Sequence, residues 1–288
     1  MLKKRIVAIL LVKSGIVVQS CGFNRYMPVG KPAVAMEFLN DWGVDEIILL
    51  DISAAKERLS PDHLMVRCGS TACHVPLTVG GGVKSIDHIL KLMHNGADKV
   101  SFNQAALHSP ALLTEAAKLF GEQCVVASID AVRVDKTYCV YDYLQREVLQ
   151  IEVGEFARQL QNRGVGEILI NSVDRDGSKS GFDLELVNSV CAAVTVPIIC
   201  CGGAGNPKHF LDVLKNTNAS AVAAANLFHF TEHSVTTTKS VVSQNVPLRQ
   251  ETHFFYQNNC FDSFGRLLKK DDAALEELLY CRANKEVI

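Results

Sequence analysis

The sequence predicts a (β/α)8 barrel, the TIM-barrel class, on three observations. Short β-branched runs alternate with amphipathic stretches of helical period, and eight such pairs fit into about 240 of the 288 residues. The strand runs are almost continuously apolar, as expected of a parallel sheet covered by helices. Similar segments also recur at a fixed spacing. An open doubly wound sheet is the alternative, because counting strands does not show closure.

The elements follow from local patterns taken in chain order. Runs rich in Val, Ile and Leu predict strands at residues 6–12, 47–52, 76–80, 98–102, 124–130, 167–173, 197–201 and 220–225. Apolar residues at three- and four-residue spacing predict helices at residues 31–42, 62–73, 85–95, 109–120, 153–164, 183–193, 206–216 and 232–243. Each helix follows its strand, which is the order that parallel strands joined by crossovers require.

An internal repeat supports a closed barrel over an open sheet. Gly-Val-Asp-Glu-Ile-Ile at 43–48 recurs as Gly-Val-Gly-Glu-Ile-Leu at 164–169, and Pro-Leu with Gly-Gly at 76–82 recurs as Pro-Ile with Gly-Gly at 197–203. His-x-Leu at 88–90 recurs at 209–211. One shift relates all three pairs of segments, which indicates two homologous half-barrels. Each half by itself would expose apolar sheet edges, so the two halves are expected to join into one closed barrel. We therefore predict one barrel at residues 1–248. A short C-terminal extension at 249–288 would pack on the barrel or on a partner.

Composition excludes several classes of function. Lys and Arg number 29 against 31 Asp and Glu, and the sequence pI is about 6.5, so no nucleic-acid partner is expected. No apolar run approaches the roughly 18 residues of a membrane helix. The ten cysteines lack a C-x-x-C pair, and no secretory signal is evident, which predicts a cytoplasmic protein with reduced thiols. Metal-ligand spacing and dinucleotide or Walker motifs are missing, so we expect neither a metal nor another cofactor.

Candidate catalytic groups lie where the predicted strands end, because barrel enzymes place their chemistry there. The polar residues at those places are Asp51, Asn103, Asp130, Asn171, Asp174 and Asp176. Asp130 ends the fifth strand and is a candidate general acid or base, although a purely structural strand-end role stays open. Glycine turns at 80–82 and 202–203 each lead into a helix, which predicts two phosphate sites across the mouth.

Four charged residues lie at or directly before the starts of predicted strands, at the opposite end of the barrel. They are Arg5, Glu46, Lys99 and Glu167. Two positive and two negative side chains could form a ring that closes the N-terminal mouth. Solvated strand starts are the alternative, and from these residues alone it is the simpler interpretation.

Five segments resemble one known family. They are Leu-Thr-Val-Gly-Gly-Gly at 77–82, Ala-Asp-Lys-Val-Ser at 97–101, Ser-Ile-Asp-Ala at 128–131, Asp-Arg-Asp-Gly-Ser-Lys-Ser-Gly at 174–181, and Gly-Gly-Ala-Gly at 202–205. Together they resemble the cyclase subunit of imidazole glycerol phosphate synthase over roughly the first 245 residues. The first strand resembles most its divergent paralogues associated with glycosyl amidation.

The resemblance implies a heterodimer with a glutaminase on the barrel floor, from which ammonia crosses the interior to a phosphorylated substrate at the top. It assigns the charged residues Arg5, Glu46, Lys99 and Glu167 to an ammonia gate and Asp98 to the partner interface. The implied phosphate- and substrate-binding residues are Gly81, Gly82, Asn103, Asn171, Gly177, Ser178, Gly202, Gly203, Ala225 and Asn226. Catalysis would rest on Asp130, with Asp51 and Asp176 as further candidates.

Several positions depart from the family pattern. Leu11 stands where the family has a second catalytic Asp, and Gln19 stands where it has a phosphate-binding Lys. Asn171 replaces a usual Thr, and Cys201 and Asn226 replace Ser. Since loss of a catalytic carboxylate costs orders of magnitude in rate, these departures predict a divergent ammonia-using subunit. It would assist nitrogen transfer (amidation) to a phosphorylated or nucleotide-linked sugar, with a sugar amidotransferase as a further partner.

Two alternatives stay open. The first is an ordinary imidazole glycerol phosphate synthase cyclase and lyase of histidine biosynthesis, acting on the formimino-ribulosyl bisphosphate intermediate. The second is a noncatalytic activator of a glutaminase, although a pure docking role would not require phosphate loops at the top of the barrel.

Overall fold

The computed structural model describes residues 3–230 and 233–249, together with Cys260, Asp262 and Leu268. The predicted C-terminal extension therefore lies almost entirely outside the described residues. Backbone hydrogen bonds pair Lys4 with the 247–249 segment, and Lys4 forms a parallel bridge with Leu248. The first and last described segments of the barrel are thus neighbours.

The described residues form twelve strands and nine α-helices. The strands are β1 Arg5–Lys13, β2 Ile16–Cys21, β3 Arg25–Gly30, β4 Glu46–Asp51, β5 Leu77–Gly80, β6 Lys99–Phe102, β7 Val125–Val134, β8 Thr137–Asp142, β9 Glu147–Glu152, β10 Glu167–Ser172, β11 Ile198–Cys201 and β12 Ala221–Ala224. The helices are α1 Pro32–Asp41, α2 His63–Ser70, α3 Ile86–His94, α4 Gln104–His108, α5 Ala111–Phe120, α6 Val153–Gln161, α7 Leu184–Ala193, α8 Pro207–Asn216 and α9 Ser234–Ser243.

Eight of the strands close into a parallel barrel. The order is β1, β4, β5, β6, β7, β10, β11 and β12, and β12 pairs with β1 in parallel register. The closing pairs include Arg5 with Ala221 and Ala8 with Ala224. The predicted (β/α)8 barrel is confirmed, and the open doubly wound sheet is wrong.

Side chains alternate between the barrel interior and the helix layer. On β1, Ile6, Ala8 and Leu10 belong to the large cluster between sheet and helices, whereas Val7 and Ile9 belong to a separate cluster inside the barrel. This period of two is the geometry of a strand with both faces buried. The members of the interior cluster are Val7, Ile9, Ile48, Val126, Leu169, Ile199, Ala221 and Ala223.

Two hairpins and one short helix were not predicted. Strand β1 continues through a turn at Ser14 and Gly15 into β2 and β3, and β7 continues through Asp135 into β8 and β9. Each half of the barrel thus carries an antiparallel hairpin on its first strand. Helix α4 lies between β6 and the helix predicted at 109–120, which corresponds to α5.

Two of the predicted helices extend further than the observed ones. The segment predicted at 62–73 ends at Ser70, and the one at 153–164 ends at Gln161. In the second case Gly164 adopts a positive φ of 89°, which the helix cannot continue through. No helix among the described residues is long and apolar enough to cross a membrane.

Candidate active site

The mouth at the C-terminal ends of the strands brings Asp130 together with two amide side chains. Asn103 follows β6 and donates from Nδ2 to Asp130 Oδ2 at 2.8 Å. Asn171 lies on β10, directly beside Asp130 in the parallel register, and donates from Nδ2 to Oδ1 at 3.2 Å. Both oxygens of this buried carboxylate therefore accept a hydrogen bond, which fixes its orientation.

The environment of Asp130 suits acid–base chemistry near neutral pH. Burial raises the pKa of Asp130 from 3.8 to about 6, against the opposing effect of the Asn171 and Asn103 hydrogen bonds. The carboxylates of Asp176 and Asp142 add to the rise by repulsion. A carboxyl group with a pKa close to the working pH can both release and take up a proton.

Leu11 makes the opposite side of the mouth apolar. It pairs with Leu50 in the β1–β4 register. Leu11, Leu50, Cys201 and Ala225 are partly buried and pack on top of the interior cluster. The first strand therefore presents a hydrocarbon where the fifth barrel strand presents Asp130.

Asp176 and Asn226 hold the β2–β3 hairpin at the mouth. Asp176 Oδ2 accepts from Ser20 Oγ at 2.8 Å and from the Phe23 amide at 3.1 Å. Asn226 Oδ1 accepts from the Ser20 amide at 3.1 Å, and its Nδ2 donates to the Ser20 carbonyl at 2.5 Å. Burial raises the pKa of Asp176, and its hydrogen bonds with the Ser20 side chain and with the backbone of Phe23 and Gly22 oppose this rise. The described contacts of both side chains are thus structural ones.

The two glycine loops pack closely against neighbouring backbone, and one of them lies against Asp51. Asp51 Oδ1 accepts from the amide and hydroxyl of Ser53 at 2.9 and 2.7 Å, which orders the turn after β4. A Cβ added to Gly81 would lie 2.4 Å from the Asp51 carbonyl oxygen, and one added to Gly203 would lie 2.1 Å from the Gly181 carbonyl oxygen. Both glycines also have positive φ, so larger residues cannot replace them without moving the loops.

The other predicted site residues lie around the same mouth. Gly177 has a φ of 69°, and a Cβ there would lie 2.8 Å from the Ser20 carbonyl oxygen. Ser178 is exposed, and its Oγ lies 2.7 Å from Ser180 Oγ. The remaining predicted residues, at the ends of strands or in the turns after them, are Gly82, Gly202 and Ala225.

Two buried polar atoms have no hydrogen-bond partner among the described residues. They are Asn171 Oδ1 in the mouth and Ser101 Oγ on β6. An unpaired buried acceptor costs about 1–3 kcal/mol unless a ligand or water completes it. Asn171 therefore offers a carbonyl oxygen to a donor group of a bound molecule.

Sequence reasoning missed the residues that the hairpins bring to the mouth. Ser20 lies on β2, and Tyr143 follows β8, where Asp130 and Asp142 raise the pKa of its hydroxyl in addition to the effect of burial. The signal was the Ser-Gly dipeptide at 14–15 between β-branched runs, which is typical of a hairpin turn. No group of three His, Cys, Asp or Glu residues in the described segments could hold a metal ion.

The four charged residues at the floor form one ion-paired ring. Arg5 pairs with both Glu46, at 2.5 Å, and Glu167. Lys99 Nζ lies 3.0 Å from Glu46 Oε1 and 2.7 Å from Glu167 Oε2. Burial raises the pKa of Glu167, but Arg5 and Lys99 outweigh this effect and hold it below its ordinary value. Charged side chains from four strands thus meet at one end of the barrel.

Asp98 lies beside this ring on the floor. It is exposed, and its Oδ2 accepts from the Leu77 amide at 2.8 Å. Asp98 also lines a cavity of about 580 Å³ together with Asp45 and Arg249. The floor therefore has a concave surface next to the charged ring.

Comparison with known proteins gives consistent matches. Residues 5–234 match the family described as histidine biosynthesis protein. A Vibrio vulnificus (strain YJ016) protein provisionally named imidazole glycerol phosphate synthase subunit hisF2 is 39% identical over 267 residues, covering 92% of this chain and 98% of that protein. The imidazole glycerol phosphate synthase subunits HisF of Hydrogenobaculum sp. (strain Y04AAS1) and Bacillus pumilus (strain SAFR-032) are each 40% identical over 246 and 247 residues, covering 85% of this chain and 98% of each protein.

The matched region spans all eight barrel strands, and with them the Asp130 mouth and the charged floor. The identity is spread over nearly the whole length of each relative. The closed barrel and the polar residues at its strand ends agree with these matches. The chain belongs to the histidine biosynthesis protein family, in which it is similar to the cyclase subunit of imidazole glycerol phosphate synthase.

Proposed function

We propose that this chain is the synthase subunit of a glutamine-dependent enzyme, using ammonia in cyclase- and lyase-type chemistry on a phosphorylated substrate at the barrel mouth. The observation that carries the proposal is Asp130, a buried carboxyl group clamped by Asn103 and Asn171 with its pKa raised to about 6. In this role Asp130 takes a proton from an attacking nitrogen or gives one to a leaving oxygen. The glycine loops at 81–82 and 202–203 would hold the phosphate groups.

The floor fits delivery of ammonia by a glutaminase partner. The ring of Arg5, Glu46, Lys99 and Glu167 lies at the end of the interior opposite to Asp130. Between them lie small or hydroxyl side chains such as Thr78, Ser101 and Ser128. Delivery would require the ring to open and this packed interior to admit ammonia as the neutral molecule, because its apolar members disfavour ions. Asp98 and the adjacent floor surface would contact the partner.

The reaction best supported is ring closure and cleavage of the formimino-ribulosyl bisphosphate intermediate of histidine biosynthesis. Two relatives at 40% identity carry the name of the synthase subunit. The two symmetric glycine loops suit a substrate with a phosphate at each end. In this reaction Asp130 carries the acid–base chemistry, and either Asp51 or Asp176 takes the second proton transfer in addition to its structural hydrogen bonds.

Leu11 favours a second candidate, amidation of a phosphorylated or nucleotide-linked sugar. With Leu11 opposite Asp130, the mouth cannot divide proton uptake and release between two directly opposed acids. The barrel would then pass ammonia to an acceptor held at the mouth or by a sugar amidotransferase. The hydrocarbon surface of Leu11 and Leu50, across the mouth from Asp130, is the specific observation for this alternative.

One experiment separates the two candidates. The purified full chain is given ammonium salt and the formimino-ribulosyl bisphosphate substrate, so that no partner is needed. Turnover that falls about 100- to 10,000-fold in Asp130→Asn supports cyclisation. No turnover by the folded wild type, with turnover gained in Leu11→Asp, supports the amidation role. Asp41→Asn, which removes an exposed carboxylate at the end of α1, is the matched control and should behave as the wild type.

A noncatalytic activator would give a different result. Calorimetric titration with inorganic phosphate should produce a binding signal if the glycine loops hold phosphate. The signal should weaken in Gly203→Val, because a side chain there would collide with the Gly181 carbonyl. If the folded protein binds no phosphate, and neither the wild type nor Leu11→Asp turns over the formimino-ribulosyl bisphosphate substrate, the synthase proposal is contradicted.

A further inference from the structure

Asp142 is a buried carboxylate that the proposed chemistry does not use. It ends β8, is 1% exposed, and accepts four hydrogen bonds. The amides of Leu144 and Gln145 donate to Oδ1 at 2.9 and 3.2 Å, which orders the turn after β8. The other two donors, Gln104 and His108, come from helix α4. Asp142 therefore joins the hairpin of one half-barrel to the helix that follows β6.

A continuous series of hydrogen bonds runs from Asp142 to Asp130. Gln104 Nε2 lies 3.1 Å from Asp142 Oδ1 and 3.3 Å from Asn103 Oδ1, and it donates to both. Asn103 Nδ2 then donates to Asp130 Oδ2 at 2.8 Å. Because Gln104 occupies the oxygen of the Asn103 amide, the nitrogen of that amide is directed at Asp130.

We propose that Asp142 is a positioning residue for Asp130, acting through Gln104 and Asn103. Asp142 accepts from Gln104 and holds its amide, Gln104 fixes which way the Asn103 amide faces, and Asn103 fixes the carboxylate in the mouth. The inference rests on the proposed function in one respect, namely that Asp130 is the acid–base group. The series is a set of fixed donors and acceptors, and no proton needs to move along it.

Charge adds a second, opposite influence on Asp130. Repulsion from Asp142 raises the pKa of Asp130, whereas the Asn103 hydrogen bond lowers it. Asp142 itself stays ionised, since its four hydrogen bonds outweigh burial and hold its pKa below the ordinary value. The titratable groups of other elements that interact electrostatically with Asp130 are Asp142, Tyr143, Asp176 and Cys201.

Two variants separate the charge of Asp142 from its positioning role. Asp142→Asn keeps an acceptor oxygen for Gln104 and the turn amides but removes the charge, so the pKa of Asp130 should fall. Gln104→Met keeps the charge and the side-chain length but frees the Asn103 amide, so the pKa of Asp130 should rise. Asp135→Asn is the matched control, because it removes an exposed carboxylate from the β7–β8 turn, where a residue with φ of 51° suits Asn.

The measurement is a carbon-13 carboxyl NMR titration of the full chain, with the Asp130 signal assigned by its loss in Asp130→Asn. Shifts in opposite directions in the two variants, with none in Asp135→Asn, are expected. An unchanged Asp130 titration in folded Gln104→Met overturns the proposal, even if Asp142→Asn shifts it, since Asp142 would then act only as a charge. The readout needs no substrate. If turnover does not depend on Asp130, the proposed function fails and this result still stands.

Discussion

At the scale of single residues, the mouth is governed by how one carboxyl group is buried. Asp130 lies within β7, where the barrel pairing with β10 gives way to the hairpin with β8 and a carboxylate could equally meet solvent. The amides of Asn103 and Asn171 satisfy both of its oxygens, yet burial and nearby carboxylates still raise its pKa. The protein therefore gives up folding free energy at neutral pH to keep this group poised for proton transfer.

The pH dependence of stability should show this cost. An acid whose pKa is raised on folding contributes its full stability below its unfolded pKa and loses it as pH rises through the folded value. For Asp130 the loss falls between pH 3.8 and about 6, on the order of 2–3 kcal/mol. Asp130→Asn should lack this loss, so its unfolding free energy relative to wild type should increase between pH 4 and pH 8 in urea denaturation. Parallel pH profiles would contradict the prediction.

The sequence allowed the position of Asp130 to be predicted but not its partners. A polar residue that ends a barrel strand points to the mouth by the geometry of the fold alone. The contact of Asn226 with Ser20 joins residues 206 positions apart, and no local pattern indicates such a pair. The same holds for Asp142, whose role depends on the turn of an unpredicted hairpin.

At the scale of elements, the two hairpins are the main features that pattern reading left out. Their strands are short, and β3 and β9 are largely exposed, so they lack the continuous apolar runs that marked the barrel strands. The barrel strands themselves were predictable because both of their faces are buried. The hairpins instead depend on a few turn residues and on side chains that anchor them to the mouth.

The β2–β3 hairpin should loosen when its anchor is removed. Asn226→Ala deletes both hydrogen bonds to the Ser20 backbone, each worth about 1 kcal/mol. Amide hydrogen exchange in β2 should accelerate by roughly tenfold or more at that cost. Asn188→Ala, on α7, is the control, since the Asn188 side chain is exposed and makes only a long contact to Asn216 at 3.5 Å. Equal exchange in wild type and Asn226→Ala would show that the hairpin is held by other contacts.

At the scale of the whole molecule, closure of the barrel creates sites that no single strand contains. The floor ring draws Arg5, Glu46, Lys99 and Glu167 from four strands. Their positions at the starts of strands were visible in the sequence, and the fold class then implied that they share one end. Whether such charges pair or remain solvated depends on the barrel radius and the side-chain directions, which the sequence does not display.

Removal of one ring member should destabilise the fold more than removal of a surface charge. Arg5→Met leaves the buried Glu46 and Glu167 with Lys99 alone, at a cost of about 3–5 kcal/mol in unfolding free energy. Lys91→Met breaks an exposed pair with Asp87 on α3, and should cost less than about 1 kcal/mol. Thermal and urea denaturation of the two variants measure the difference. A loss for Arg5→Met as small as that for Lys91→Met would contradict a tightly paired ring.

The bridge between Lys4 and Leu248 makes the barrel suitable for circular permutation. Since the two ends of the barrel are hydrogen-bonded neighbours, a short linker from residue 248 to residue 4 would span them without strain. New termini opened near Gly121, between the two half-barrels, would then encode the second half before the first. Such a circular permutant keeps every strand pairing of the barrel, because the order of the halves along the gene is independent of their order around the sheet.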